Sequence, residues 1–418
     1  MAGNFPYFCT FRTRTQARFF FFMKHLRYSF YLWLVTLIFI VSSCNKSTDP
    51  TPSLQYLVSS TLVGEFTKEQ LVQRIAAGDP SFAQIAPFLQ YGIKVYKLVY
   101  KTKNTDGTEI QASGAFIYPT KTAASALISI QHGTIRTDQE APSYFATSSE
   151  ANLAGSLFAS LGYIITYPDY IGYGASNKVP HPYEHRASLA SSCLDMIRAA
   201  KEFINQEKIQ WDERLYITGY SAGGYATMAL QKKIEEEASA EFNLKASSCG
   251  AGAYDKTAFM KYLTTNKTTG VASYNQLYLW TLLTYDRIYG LNRPMTQYFK
   301  DPWAGQIQTS KDNATINVSF NTIFTDAFVK GLTDGTDTAF LNAVKDNDVY
   351  DWKPKTPTRL YHGDADDLVF YFNSQNALNA MKARGAANVE LITLKGKNHT
   401  TAIQDFLLGT YQFFSSIQ

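Results

Sequence analysis

Five β-type residues, Arg214-Leu215-Tyr216-Ile217-Thr218, run straight into the glycine-flanked turn Gly219-Tyr220-Ser221-Ala222-Gly223, and the turn runs straight into a helical segment reaching Glu237. A strand that passes through one tight turn into a long helix is the opening of a β–α–β crossover, the connection that parallel strands require. The rest of the chain repeats this alternation. Ala126 to Ile130, Tyr163 to Thr166, Lys245 to Cys249, Thr358 to Tyr361 and Val389 to Leu394 read as short apolar strands. Helical patterns fall between or after them at Ala151 to Leu161, Ala187 to Asn205, Asn373 to Arg384 and Thr401 to Phe414. Two earlier β-type runs, Val95 to Tyr100 and Ile110 to Tyr118, are joined by the turn Asn104-Thr105-Asp106-Gly107 and read as an antiparallel pair. The expectation is an α/β fold, a mostly parallel sheet with helices on both faces.

One region interrupts the rhythm. Residues 253–355 offer no buried strand, only helical, aromatic-rich stretches such as Tyr274 to Trp280 and Phe324 to Leu332. About a hundred residues are too many for a loop, so this segment is expected to form a helical cap inserted between the sixth and seventh strands. The core is then expected to comprise 54–252 and 356–418. Tyr274, Tyr278 and Trp280 are candidates for a pocket lining, although core packing is the simpler account of any single one of them.

The start of the chain has a different logic. Met23-Lys24-His25-Leu26-Arg27 is basic, Phe30 to Val41 is an apolar run broken only by Thr36, and Ser42, Ser43 and Cys44 follow. A basic start, about a dozen apolar residues and a small-residue end make an export signal, and Met23 reads as its true first residue. The apolar run is short for a bilayer span of about 20 residues, although an uncleaved anchor is the alternative. Val41-Ser42-Ser43-Cys44 resembles the bacterial lipobox, which implies lipid modification at Cys44, a membrane anchor there, and a place in the cell envelope. Residues 1–44 are therefore read as signal and 45–53 as a polar, Pro-containing tether. Cys193 and Cys249 remain in the body and either pair or stay as buried thiols.

Composition removes other classes. The chain carries 39 basic and 35 acidic residues, a net charge of +4, and no basic block interleaved with aromatics, so nucleic-acid binding has no electrostatic footprint. No CxxC, HExxH or His/Cys cluster occurs, which leaves no motif for a metal. No cofactor is called for.

Chemistry centres on Ser221. In a strand–turn–helix setting the flanking Gly219 and Gly223 leave room for a strained turn that lifts a hydroxyl above the sheet edge. A serine nucleophile needs a base. His399, in the loop after the last strand, can reach back over the sheet edge; His362, at the end of the preceding strand, is the other histidine downstream of Ser221. The segment Gly363-Asp364-Ala365-Asp366-Asp367-Leu368-Val369 supplies the acid, and Gly-x-x-Asp-x-x-Val selects Asp366 over Asp364 and Asp367. An oxyanion needs two backbone donors. Ala222 N–H is one. The other comes from Gln131-His132-Gly133-Thr134, with Thr134 ahead of Gly133 and His132 as a structural residue of the turn.

The ordered set His132-Gly133-Thr134, Gly219 to Gly223, Gly363-x-x-Asp366-x-x-Val369 and His399 resembles the α/β-hydrolase fold over about residues 90–418. Together with Tyr167-Pro168-Asp169-Tyr170-Ile171-Gly172-Tyr173-Gly174, it is similar to secreted lipases and esterases of the secretory-lipase type. Phe370 stands where many relatives have Pro. The resemblance implies hydrolysis of small-molecule or lipid esters through an acyl-enzyme. A serine peptidase on the same fold and a non-catalytic surface binding protein are the rival readings.

Overall fold

A computed structural model describes residues 54–78, 80 and 87–417. Met23, Cys44 and the tether 45–53 lie outside the described residues. Nine strands form one sheet: β1 (Leu57–Phe66), β2 (Ile93–Lys103), β3 (Glu109–Pro119), β4 (Ser125–Gln131), β5 (Ile164–Pro168), β6 (Trp211–Tyr220), β7 (Asn243–Gly250), β8 (Thr358–Gly363) and β9 (Val389–Leu394). Their spatial order is β1-β2-β3-β5-β4-β6-β7-β8-β9. Pairing is antiparallel from β1 to β5 and parallel from β5 through β4 to β9.

Helices cover both faces, as alternation along each strand requires. Leu215 and Ile217 point into a core shared with the helices Arg186–Glu207, Ala222–Glu237 and Phe372–Ala383, whereas Tyr216 between them points into a second core under Lys68–Gly78, Ser156–Ser160 and Ile403–Ser415. Both Cys193 and Cys249 sit buried in the first core as free thiols, so the pairing alternative does not hold.

Two elements differ from the sequence reading. Strand β1 was not anticipated. Its sequence, LVSSTLVGEF, is mostly exposed and lacks strict alternation, because it is an edge strand whose order comes from pairing with β2 and from the Glu202 carboxylate. That carboxylate accepts the N–H groups of Gln55, Tyr56 and Leu57. The helix expected over Ala151 to Leu161 begins as a π-turn, Ala151–Gly155, before continuing as Ser156–Ser160.

With β1 added to the count, the long insertion lies between β7 and β8. It contains the helices Lys256–Thr265, Ala272–Ile288, Met295–Tyr298, Trp303–Ser310, Asp326–Thr333 and Thr338–Asp346, and one isolated antiparallel bridge, Phe299 to Phe324. Its apolar centre, including Leu279, Leu282, Tyr298, Phe320 and Phe340, also takes in Leu368 and Val369 from the loop after β8. The insertion is therefore packed onto one of the loops that carry candidate site residues. No helix among the described residues is long and apolar enough to cross a membrane.

Candidate active site

Ser221 stands at the join of β6 and the helix Ala222–Glu237 with φ 59° and ψ −124°, a backbone conformation that L side chains adopt only under constraint. The flanking glycines supply the constraint. A Cβ on Gly223 would stand 2.1 Å from the Gln131 carbonyl oxygen, and one on Gly219 would stand 2.4 Å from the Gly223 carbonyl oxygen. No side chain fits at either place.

His399 bridges the other two groups. Its Nε2 lies 2.8 Å from Ser221 Oγ and its Nδ1 lies 2.6 Å from Asp366 Oδ2. Asp366 is fixed in turn: its Oδ1 accepts the N–H groups of Leu368 at 3.0 Å and Val369 at 2.9 Å. Burial opposes its charge, but the hydrogen bonds from His362 and His399 outweigh this and hold the carboxyl well below the usual range. Gly363 makes room for the approach of the two loops, since a Cβ there would stand 2.1 Å from the Lys397 carbonyl oxygen.

The neighbouring candidates fall elsewhere. Asp364 is on the surface, where Lys395 Nζ at 3.0 Å and the Gly396 N–H at 2.6 Å meet it. Asp367 is exposed. His362 is fully buried between Ser374 Oγ and the Val369 carbonyl, each at 2.7 Å, with Nε2 3.3 Å from Asp366 Oδ2. It backs the acid, and its polar partners are Ser374, Val369 and Asp366, not Ser221.

On the other side of Ser221, Ala222 begins the helix, so its N–H has no acceptor within the helix. Thr134 N–H donates to no acceptor among the described residues. Gly133 N–H does: it is taken by the Glu150 carboxylate, 3.1 Å to Oε1 and 3.3 Å to Oε2. His132 is buried in the turn between the carbonyls of Gly133 and Asp169, and burial pulls its pKa down to about 4, so it is neutral at pH 7. Thr134 Oγ1 is 2.6 Å from the Tyr183 hydroxyl, and the Tyr183 ring stacks on Trp280 at 4.3 Å. Of the aromatics singled out in the insertion, Trp280 thus supports the Thr134 loop, and buried Tyr278 donates to the Leu368 carbonyl at 2.8 Å.

These groups border a cavity of about 350 Å³ lined by Ser221, His399, Gly133, Thr134 and Glu150 together with apolar side chains such as Leu153, Phe158, Leu277 and Leu407. Residues 143–405 match the family model described as secretory lipase. The chain belongs to the secretory lipase family. Among solved structures, this secretory lipase is similar to a Legionella pneumophila protein classed as a hydrolase, with 24% identity and a TM-score of 0.76 over 87% of this chain and 98% of that one. It is also similar to the rice cell wall degrading esterase LipA from Xanthomonas oryzae, with 24% identity and a TM-score of 0.68 over 85% and 95% of the two chains. Candida antarctica lipase A follows at 16% identity and a TM-score of 0.61, over 87% and 84%. No curated protein sequence matches. The structural likeness establishes the α/β-hydrolase fold, and the family establishes the class of enzyme, a carboxylic ester hydrolase.

His362, the alternative base in the sequence, backs the acid instead, whereas Glu150 and Tyr183 entered the site without a sequence signal of their own. Glu150 is a single acidic residue at the start of a helical pattern, and Tyr183 lies in an irregular stretch. Only the pairing of distant segments brings either to Ser221.

Proposed function

We propose that this secretory lipase cleaves esters through an acyl-enzyme on Ser221. His399 Nε2 takes the Oγ proton as oxygen attacks the ester carbonyl, then hands that proton to the leaving alcohol. Asp366 keeps the proton of neutral His399 on Nδ1 and stabilises the imidazolium as it forms. The N–H groups of Ala222 and Thr134 receive the oxyanion. Thr134 is preferred to Gly133 because the Gly133 donor is already engaged by Glu150. Water then enters, His399 takes one of its protons as the water oxygen attacks the acyl carbonyl, and that proton passes to Ser221 Oγ as its bond to the acyl carbon breaks and the carboxylic acid leaves. The observation that carries this reading is the continuous relay from Ser221 Oγ through His399 to Asp366, at 2.8 and 2.6 Å.

The insertion over 253–355 acts as a cap that contributes Leu277 to the cavity wall and holds the acid loop through Leu368 and Val369. The mature enzyme is exported and held at a membrane by a lipid on Cys44. Family membership supports export, and the basic, apolar and Ser-Ser-Cys order of 23–44 supports the anchor.

The test is a fluorophosphonate probe with parallel assays on p-nitrophenyl esters and aminoacyl anilides. The expected result is an adduct on Ser221, ester turnover without anilide turnover, and loss of both adduct and turnover in Ser221→Ala. Full ester turnover by Ser221→Ala would overturn the mechanism. Release of Cys44→Ala from the membrane fraction tests the anchor.

A further inference from the structure

The cavity beside Ser221 is lined by apolar side chains, by uncharged polar ones such as Thr218 and Tyr220, by His399, and by one carboxyl group, that of Glu150. None of the proposed steps uses this carboxyl group. The point at which a Cβ on Gly133 would stand is 3.0 Å from Glu150 Oε1 and 4.0 Å from Ser221 Cβ, so the carboxyl group and the nucleophile flank the same glycine. We propose that Glu150 determines specificity by receiving a hydroxyl of the substrate, so that the preferred ester carries a hydroxyl within a few bonds of the scissile carbonyl.

Count the acceptors first. An ionised carboxylate has about four lone-pair sites. Two donors serve this one: Gly133 N–H, shared between the oxygens, and the Tyr167 hydroxyl, 2.9 Å from Oε2. Oε1 has only its share of Gly133 N–H. Glu150 is an exposed residue that lines the cavity, with its carboxyl oxygens within hydrogen-bond reach of Gly133 and Tyr167. No cation is near enough to offset its charge among the described residues. Desolvation of the carboxyl group by the surrounding protein and the charge of Glu140 push its pKa up, against the pull of Tyr167 and Gly133.

A plain alkyl chain filling this cavity would strip water from Oε1 and return nothing, which costs free energy. A hydroxyl at that place donates to the carboxylate and accepts from its acid form, so it restores the lost partner in either state. A site arranged around a substrate hydroxyl rejects the analogue that lacks it far more strongly than an apolar pocket rejects a methylene. The neighbours Leu153, Phe158 and Leu407 still take the remaining carbon skeleton.

The proposal rests on Ser221 as nucleophile, and the experiment separates the two. Two substrate pairs are compared by kcat/KM on the purified protein: p-nitrophenyl 3-hydroxybutanoate against p-nitrophenyl butanoate, and glycerol 1-butanoate against propyl butanoate. The first pair varies the acyl half, the second the alcohol half. The wild type should favour the hydroxylated partner about tenfold or more in at least one pair. Glu150→Leu should bring that ratio close to one, by slowing the hydroxylated ester and quickening the plain one. Glu150→Gln, closer in shape, should give a ratio between the two. Each ratio is taken within one sample, so the folded fraction cancels. A residue that only braces the Gly133 loop would slow both partners alike and leave the ratio unchanged, which overturns the proposal. A wild-type ratio near one in both pairs also overturns it. Hydrolysis of any of the four esters by Ser221→Ala at the wild-type rate would instead show that the nucleophile had been misassigned.

Discussion

The Tyr220 hydroxyl donates to the His399 carbonyl at 2.7 Å, and the two rings lie 5.2 Å apart. The residue just before the proposed nucleophile thus holds the loop that carries its base. Tyr220 also packs on Phe406, near the start of the last helix, so this ring joins β6 to that helix as well as to the His399 loop. Tyr220→Phe keeps the ring packing and removes only the hydroxyl. We expect about 1 kcal/mol of lost stability, and kcat lowered about tenfold with KM little changed, because His399 drifts from Ser221 Oγ. Steady-state kinetics with thermal unfolding checks this; unchanged kcat would mean that the loop is held by other contacts.

Ser221 pays for its position in backbone strain. At φ 59° and ψ −124° a glycine has no Cβ to place. Ser221→Gly should abolish turnover and raise stability by about 1–3 kcal/mol. Gly223→Ala should do the opposite to folding, since its methyl group would stand 2.1 Å from the Gln131 carbonyl. Soluble yield and unfolding midpoint distinguish the three proteins. A Gly variant less stable than wild type would mean that the hydroxyl contributes more than the strain costs.

Much of this centre was readable because its parts obey local rules. Ser221 lies between a strand and a helix, and Asp366 and His399 each follow a strand in the order the fold demands, so each could be placed from its own neighbourhood. The structure brings these three together. Strand β1 was not readable, because Leu57–Phe66 is an exposed edge whose partner, β2, begins 27 residues after it ends. Glu150 and Tyr183 were unreadable for the same reason at the level of side chains. The Gly133 and Thr134 contacts that give them meaning cross 17 and 49 residues of chain.

Asp348 gives the fold a pH dependence. It accepts from Thr257 N–H at 3.0 Å and from the Thr257 hydroxyl at 2.7 Å, but burial, helped by Asp255, lifts its pKa from 3.8 to about 6. The folded protein therefore holds this proton more tightly than the unfolded chain. Stability should fall as pH rises from about 4 to about 6, with a slope from this group of at most about 1.4 kcal/mol per pH unit. Asp348→Asn can accept from the N–H with its oxygen while its amide donates to the hydroxyl. It should flatten the unfolding midpoint across that window and leave it no lower than wild type at pH 7. A variant that retains the wild-type slope would assign the dependence to another group.

The Thr134 donor depends on the insertion. Thr134 Oγ1 meets the Tyr183 hydroxyl at 2.6 Å, Tyr183 stacks on Trp280 at an interplanar angle of 5°, and the guanidinium of Arg136, two residues further along the same loop, lies 4.7 Å from the centroid of the Trp280 ring. Trp280 belongs to the helix Ala272–Ile288, so a helix of the insertion sets the place of a backbone N–H proposed to receive the oxyanion. Trp280→Ala removes the stack and the cation's partner while leaving Ser221, His399 and Asp366 in place. The loss should appear in the transition state more than in the ground state. We expect kcat to fall about tenfold or more, KM to move less, and a phosphonate inhibitor to react more slowly in the same proportion. Tyr183→Phe, which keeps the ring and deletes the hydroxyl, should reproduce part of the effect. If both variants keep wild-type kcat, Thr134 is held by its own backbone and the insertion has no hand in the oxyanion site.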